Sequence, residues 1–254
     1  MILHTDITGQ GQPLILIHGL FGSYENLGVI ARALQNDFQL VNIDLRNHGR
    51  SPRSDYMDYP QLALDVFETL DQLNIRQSAV LGHSMGGKVA MQMAFIEPLR
   101  VTKLILADIS PVANEPRHQR ILQGLAAIDL NQLQDRKQAD GLLQPYVDEL
   151  GVRQFLLKNL YKDAMDQFQW RINVAALLDN YPRLLAAPVA TAPYVGDTLF
   201  IKGGNSDYIQ AEHQPLIRSL FPNATAKIIQ GAGHWLHAEK PVAFSKIVSD
   251  FLLR

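Results

Sequence analysis

Cysteine is missing from the 254 residues. That excludes disulfides, thiolate metal sites and cysteine nucleophiles, and it suits a reducing compartment. A strong charge of either sign is missing too. With 23 Lys and Arg against 25 Asp and Glu the net charge is −2, so neither nucleic acid nor an anionic membrane is an expected partner. Long apolar runs are also lacking. The first, PLILIHGLFG, is too short to span a bilayer, and the preceding MILHTDITGQGQ has no basic leader region, so a cytoplasmic protein is expected. There are no internal repeats and no low-complexity segment. Apolar material is abundant: 47% of residues are hydrophobic and 19% charged, enough to fill the core of one large domain with an insertion.

Six apolar runs punctuate the chain: LILIH (14–18), FQLVNIDL (38–45), SAVLGHS (78–84), KLILADIS (103–110), DTLFIKG (197–203) and TAKIIQG (225–231). Between most of them lie stripes of three-and-four spacing, such as Leu62, Val66, Leu70 and Leu73, or Phe244, Ile247, Val248, Phe251 and Leu252. Continuous apolar strands alternating with amphipathic helices predict an α/β fold, a mostly parallel sheet covered by helices on both faces. The alternation lapses over 111–196. Helical patterns at Ile121–Ile128, Val152–Tyr161 and Trp170–Tyr181 appear there without a convincing strand. We read 1–110 and 197–254 as the core and 111–196 as an inserted helical cap, with Ser110-Pro111, Ala187-Pro188 and Ala192-Pro193 as its linkers.

The stretch GHSMGGKV (82–89) fits two motifs. As a phosphate-cradling loop it lacks the Ser or Thr that should follow the lysine, because position 89 is Val. As a G-x-S-x-G elbow every residue has a use. Ser78–Leu81 is a strand, the run from Gly86 opens a helix, and Ser84 sits on the tight turn between them, with Gly82 and Gly86 allowing close approach. The helix N-terminus favours negative charge developing beside the Ser84 hydroxyl. Lys88 is read as a solvated helix residue.

A serine hydroxyl needs a base. His234, in the small-residue loop GAGHWLH (231–237) after the last apolar run, is the candidate; His237 is read as a neighbour in the following turn or helix, and H-x-x-H alone is too slight for a metal site. The other histidines, His18, His48 and His83 among them, are read as structural. The imidazole in turn needs a carboxylate. The pattern I-x-G-x-x-D would put it after Leu199–Lys202, where this chain has Ser206, with Asp207 one residue late. Asp108 ends an apolar strand, where a carboxylate is costly unless paired, and it is preferred to Asp207. The oxyanion donors are assigned to the N–H groups of Met85 and of Leu20 in HGLFG (18–22), with the side chains of Leu20 and Phe21 facing an acyl pocket.

HGLFGS (18–23), DLRNHGRS (44–51), GHSMGG (82–87), ADISP (107–111) and GAGHWLHAEKP (231–241) together resemble the α/β-hydrolase superfamily, and within it the YbfF-type esterases. WRINV (170–174) and GGNS (203–206) extend the likeness over nearly the whole chain. The resemblance implies an α/β-hydrolase fold and hydrolysis of carboxylic esters or thioesters by a serine triad, without a cofactor. It also implies an acid at the strand end that Asp108 occupies; an Asp at 207 lies outside the pattern. The loop holding Asp44, Arg46, His48 and Gly49 is implied to be structural.

The expected partner is a small-molecule ester or thioester with a short to medium acyl group, acyl-CoA included, and the chain is expected to act as a monomer or homodimer. Phe155, Leu156, Leu157, Tyr161, Phe168, Trp170 and Tyr181 are candidates for an acyl pocket, although such spacing more often marks a segment's own core. Arg117, His118, Arg120, Lys158, Lys162 and Arg171 could meet a negatively charged substrate or form a solvated face. The alternatives are carbon–carbon bond hydrolysis or a lyase on the same fold, and a non-catalytic ligand-binding protein.

Overall fold

In the computed structural model, which describes residues 1–254, the apolar runs become strands of one seven-stranded sheet. In chain order the strands are β1 (Thr5–Thr8), β2 (Gln12–Ile17), β3 (Phe38–Ile43), β4 (Ser78–His83), β5 (Val101–Ala107), a separate hairpin of β6 (Leu160–Lys162) and β7 (Phe168–Trp170), β8 (Asp197–Gly203) and β9 (Ala224–Ile229). The spatial order is β1-β3-β2-β4-β5-β8-β9, and every neighbouring pair is parallel except β1 on β3.

The helices are α1 (Gly28–Leu34), α2 (Tyr59–Gln72), α3 (Met85–Ile96), α4 (Gln119–Ala127), α5 (Arg136–Leu143), α6 (Leu150–Leu157), α7 (Val174–Leu185), α8 (Gln214–Leu220), α9 (Leu236–Glu239) and α10 (Pro241–Leu252). Side-chain alternation along the strands fills both faces of the sheet. Leu14 and Leu16 of β2 pack with Ile30 and Leu34 of α1 and with Phe244 and Val248 of α10. Ile15 and Ile17 pack on the other side with Leu62 and Val66 of α2 and Val89 and Met91 of α3. No helix is long and apolar enough to cross a membrane.

The chain between the adjacent strands β5 and β8 holds α4 to α7 and also the hairpin, which corrects the expectation of helices alone. Tyr161 and Trp170, read as helical, are strand residues, with Leu160 opposite Trp170. Strands of three residues are too short for a period of two to show. A turn makes the hairpin: the Asp163 carboxylate accepts from the N–H groups of Met165 and Gln167, and Asp166 takes a left-handed φ of 59°. The segment is fastened to the sheet side by polar contacts. The Asn173 N–H donates to the Asn47 carbonyl at 2.9 Å, and the Tyr59 hydroxyl donates to the Leu184 carbonyl at 2.6 Å.

Lys88 is also corrected. It is fully buried, because α3 is covered on one side by α2 and on another by the chain leaving α7. Its Nζ donates to the carbonyls of Leu185 (3.3 Å) and Ala186 (2.8 Å), capping the end of α7. Burial pulls its pKa down to about 7.

Candidate active site

The turn between β4 and α3 confines Ser84 to φ 54° and ψ −120°, a region that a side chain normally avoids. Glycines make it possible. A Cβ on Gly82 would lie 2.2 Å from the Gly86 carbonyl oxygen, and one on Gly86 would lie 2.3 Å from that of Ile17. The Ser84 N–H is held by the Ala107 carbonyl of β5 at 3.0 Å, which fixes the elbow to the sheet. Its Oγ is thereby raised at the carboxyl edge of the strands, where sites form in parallel sheets.

His234 and Asp108 meet it there. The Ser84 Oγ and His234 Nε2 are 3.0 Å apart, and His234 Nδ1 lies 2.7 Å from Asp108 Oδ2. Asp108 is completely buried, with a left-handed φ of 50°. It accepts from the Gly203 N–H at 3.0 Å and from the Ser206 hydroxyl as well as facing the imidazole. Three donors around one carboxylate satisfy a charge that would otherwise be very costly at that depth.

Asp207 stands apart, exposed and paired with Arg117 at 2.5 Å, which holds its carboxyl below the usual range. The His234 ring lies between Tyr208, stacked at 3.8 Å and 14°, and His83, at 4.8 Å. His83 Nε2 lies 2.8 Å from the His234 carbonyl. His237 falls in α9, buried against His83 at 4.3 Å.

The loop after β2 offers the second expected donor. Leu20 belongs to no regular element, and its N–H has no protein acceptor; nor does that of Met85, the first residue of α3. Two buried histidines support this loop. His18 Nε2 accepts from the Leu45 N–H, so its Nδ1 carries the proton and donates to the Gly19 carbonyl at 2.8 Å. His48 Nδ1 faces the Arg46 carbonyl, leaving Nε2 to accept from the Phe21 N–H at 3.3 Å. Burial lowers their pKa values to about 4 and about 3, so both are neutral near pH 7 and each presents one donor and one acceptor.

A family profile for the alpha/beta hydrolase fold matches residues 12–241. Esterase YbfF of Escherichia coli (strain K12) is 41% identical over 250 residues, covering 96% of both chains. The chain belongs to the α/β-hydrolase family, in its YbfF-type esterase branch. The sn-1-specific diacylglycerol lipase ABHD11 of Xenopus laevis is 40% identical over 95% of this hydrolase and 80% of the relative. The solved structure of a marine microorganism esterase superposes with a TM-score of 0.96 at 38% identity, covering 98% of this hydrolase and 99% of that chain.

A cleft of about 860 Å³ opens above Ser84. Leu20, Phe21, His234 and Trp235 line it from the sheet side; Ile121, Val152, Phe155 and Leu156 line it from the segment between β5 and β8. Of the other acyl-pocket candidates, Leu157, Phe168, Trp170 and Tyr181 are buried in this hydrolase's own core, and Tyr161 does not line the cleft.

The basic group divides. Lys158, Arg171 and His118 line the cleft, and the Lys158 and Arg171 side chains have no hydrogen bond or ion pair. Arg117 is held by Asp207, Arg120 donates to the Pro145 carbonyl and Lys162 pairs with Asp166. Sequence reasoning did not find a role for Ser206 or Tyr208. The available signal was that Ser206 stands where an acid would be looked for.

Proposed function

We propose that this hydrolase cleaves carboxylic esters by way of an acyl-enzyme on Ser84, with His234 as general base, Asp108 as the acid, and Leu20 and Met85 N–H groups as oxyanion donors. The observation that carries the reading is the unbroken hydrogen-bonded line from the Ser84 Oγ through His234 to the buried Asp108 carboxylate. His234 Nε2 takes the serine proton as Oγ attacks the acyl carbonyl. The tetrahedral oxyanion is met by the two free N–H groups, which lie beside the positive end of α3. His234 then protonates the leaving alkoxide, and water repeats the sequence on the acyl-enzyme.

Asp108 stays ionised and holds the imidazole with its proton on Nδ1. Residues 111–196 act as a cap over the core 1–110 and 197–254, and Phe155, Ile121 and Val152 give the acyl chain an apolar wall. The names borne by the relatives, esterase and diacylglycerol lipase, support ester substrates. A thioester with an anionic leaving group extends the reading, supported by Lys158 and Arg171, which line the cleft with no carboxylate partner, the Arg171 guanidinium resting over the Tyr161 ring. The test is a panel of acyl p-nitrophenyl esters and acyl-CoA thioesters. Ser84→Ala is expected to abolish turnover of both, and Lys158→Ala with Arg171→Ala to weaken thioester turnover alone. Full activity of Ser84→Ala would overturn the reading, and equal effects of the double variant on both substrates would remove the thioester extension.

A further inference from the structure

The Leu20 N–H is aimed by a chain of contacts that begins on the far side of the cleft. Phe21, a bulky residue, holds a left-handed φ of 64°, a conformation that costs of order 1–3 kcal/mol and persists only where neighbours enforce it. Its carbonyl accepts a 2.8 Å hydrogen bond from Nδ2 of Asn159, a buried residue just after α6 that lines the cleft. The second Nδ2 hydrogen goes to the Leu156 carbonyl at 3.2 Å. With a carbonyl at each contact, the amide nitrogen must be the atom on this side.

In a trans peptide the C=O and the following N–H point in opposite directions. Fixing the Phe21 carbonyl therefore fixes the Gly22 N–H, which donates to the Gly19 carbonyl at 3.0 Å. The Gly19 carbonyl shares its own peptide plane with the Leu20 N–H. Two peptide planes in series thus connect the Asn159 amide to the oxyanion donor.

We propose that Asn159 is a positioning residue that sets the oxyanion site from the segment between β5 and β8, by holding the Phe21–Gly22 peptide against reversal. The inference rests on the serine-hydrolase reading above. Releasing that peptide lets it turn about the Phe21 ψ and the Gly22 φ, which withdraws the Gly22 N–H from Gly19 and leaves the Gly19–Leu20 peptide held by His18 alone, with His48 still on the Phe21 N–H. Aligned dipoles along the relay also polarise one another, which strengthens the terminal donor.

Two variants test it. Asn159→Leu keeps the heavy-atom count and the branch at Cγ and removes the donor. The expected result, per folded molecule on a p-nitrophenyl ester, is a kcat lower by about tenfold to a hundredfold with KM within about twofold, since an oxyanion donor acts on the transition state. Affinity for a tetrahedral alkylboronic acid should fall in parallel.

Asn159→Asp keeps the shape and restores a donor only when the carboxyl is protonated. Its activity relative to the unmodified protein should therefore rise as pH falls, a response that a merely structural role would not give. A kcat within twofold of the unmodified protein in both variants overturns the inference, as does a loss confined to KM or a flat pH ratio for Asn159→Asp. Inactive Ser84→Ala beside unaffected Asn159 variants refutes the relay alone; an active Ser84→Ala refutes the underlying reading.

Discussion

Replacing Asp108 by Asn changes one atom of the hydrogen-bonded line and little else. The left-handed φ of 50° at this position suits Asn as well as Asp, so the backbone has no reason to move. In the native arrangement Oδ1 accepts from the Gly203 N–H, while Oδ2 meets both the Ser206 hydroxyl and His234 Nδ1. An amide whose oxygen stays on Gly203 puts its NH2 at the imidazole. Two donors cannot face each other there, and His234 is driven to the tautomer with its proton on Nε2, 3.0 Å from the Ser84 Oγ.

That nitrogen can no longer accept the serine proton. Loss of the correct tautomer in a serine triad lowers kcat by about 10⁴-fold, equivalent to about 5.5 kcal/mol. Asp207→Asn removes only an exposed ion pair with Arg117, and its kcat should stay within about threefold. The assay is steady-state hydrolysis of a p-nitrophenyl ester, with circular dichroism to establish that both variants are folded. Near-normal turnover in Asp108→Asn together with a collapse in Asp207→Asn would refute the assignment of the acid.

Two predictions concern stability. Burial lowers the pKa of His18 and His237 to about 4, that of His48 to about 3, and that of His83 well below its ordinary value. Below pH 6.5 the unfolded chain takes up protons that the folded one refuses, so stability falls with falling pH until the folded-state values are reached, by about 2 kcal/mol per histidine between pH 6.5 and pH 5. Urea midpoints measured at pH 7 and pH 5 should show a loss of several kcal/mol; unchanged midpoints would contradict the buried neutral state. Lys88→Ala strands two carbonyls at the end of α7 and opens a void, and should lower stability by roughly 2–5 kcal/mol. A solvated lysine would give a change within about 0.5 kcal/mol.

The parallel sheet was legible because each of its buried strands carries its own apolar run, from Leu14–Ile17 to Leu199–Ile201. β1 was not, since Thr5–Thr8 is short and polar and becomes a strand only by pairing with the edge of β3. The hairpin at 160–170 was hidden for a similar reason: three-residue strands exist through their turn. At the site, Ser84 announced itself by the glycines on either side and His234 by the small residues of its loop. Lys88 misled because a charged residue four positions past the serine looks solvated on a helix whose burial depends on distant chain. Ser206, Tyr208 and Asn159 meet partners 98, 26 and 138 positions away. No spacing within the sequence records such a pairing.

A fluorophosphonate probe reads the reactivity of a hydroxyl rather than its position. Intact-mass analysis of the unmodified protein should show one covalent adduct mapping to the peptide that contains Ser84, formed slowly or not at all in His234→Ala and absent from Ser84→Ala. An adduct on another residue, or labelling that is indifferent to His234, would contradict the claim that this imidazole makes this hydroxyl a nucleophile.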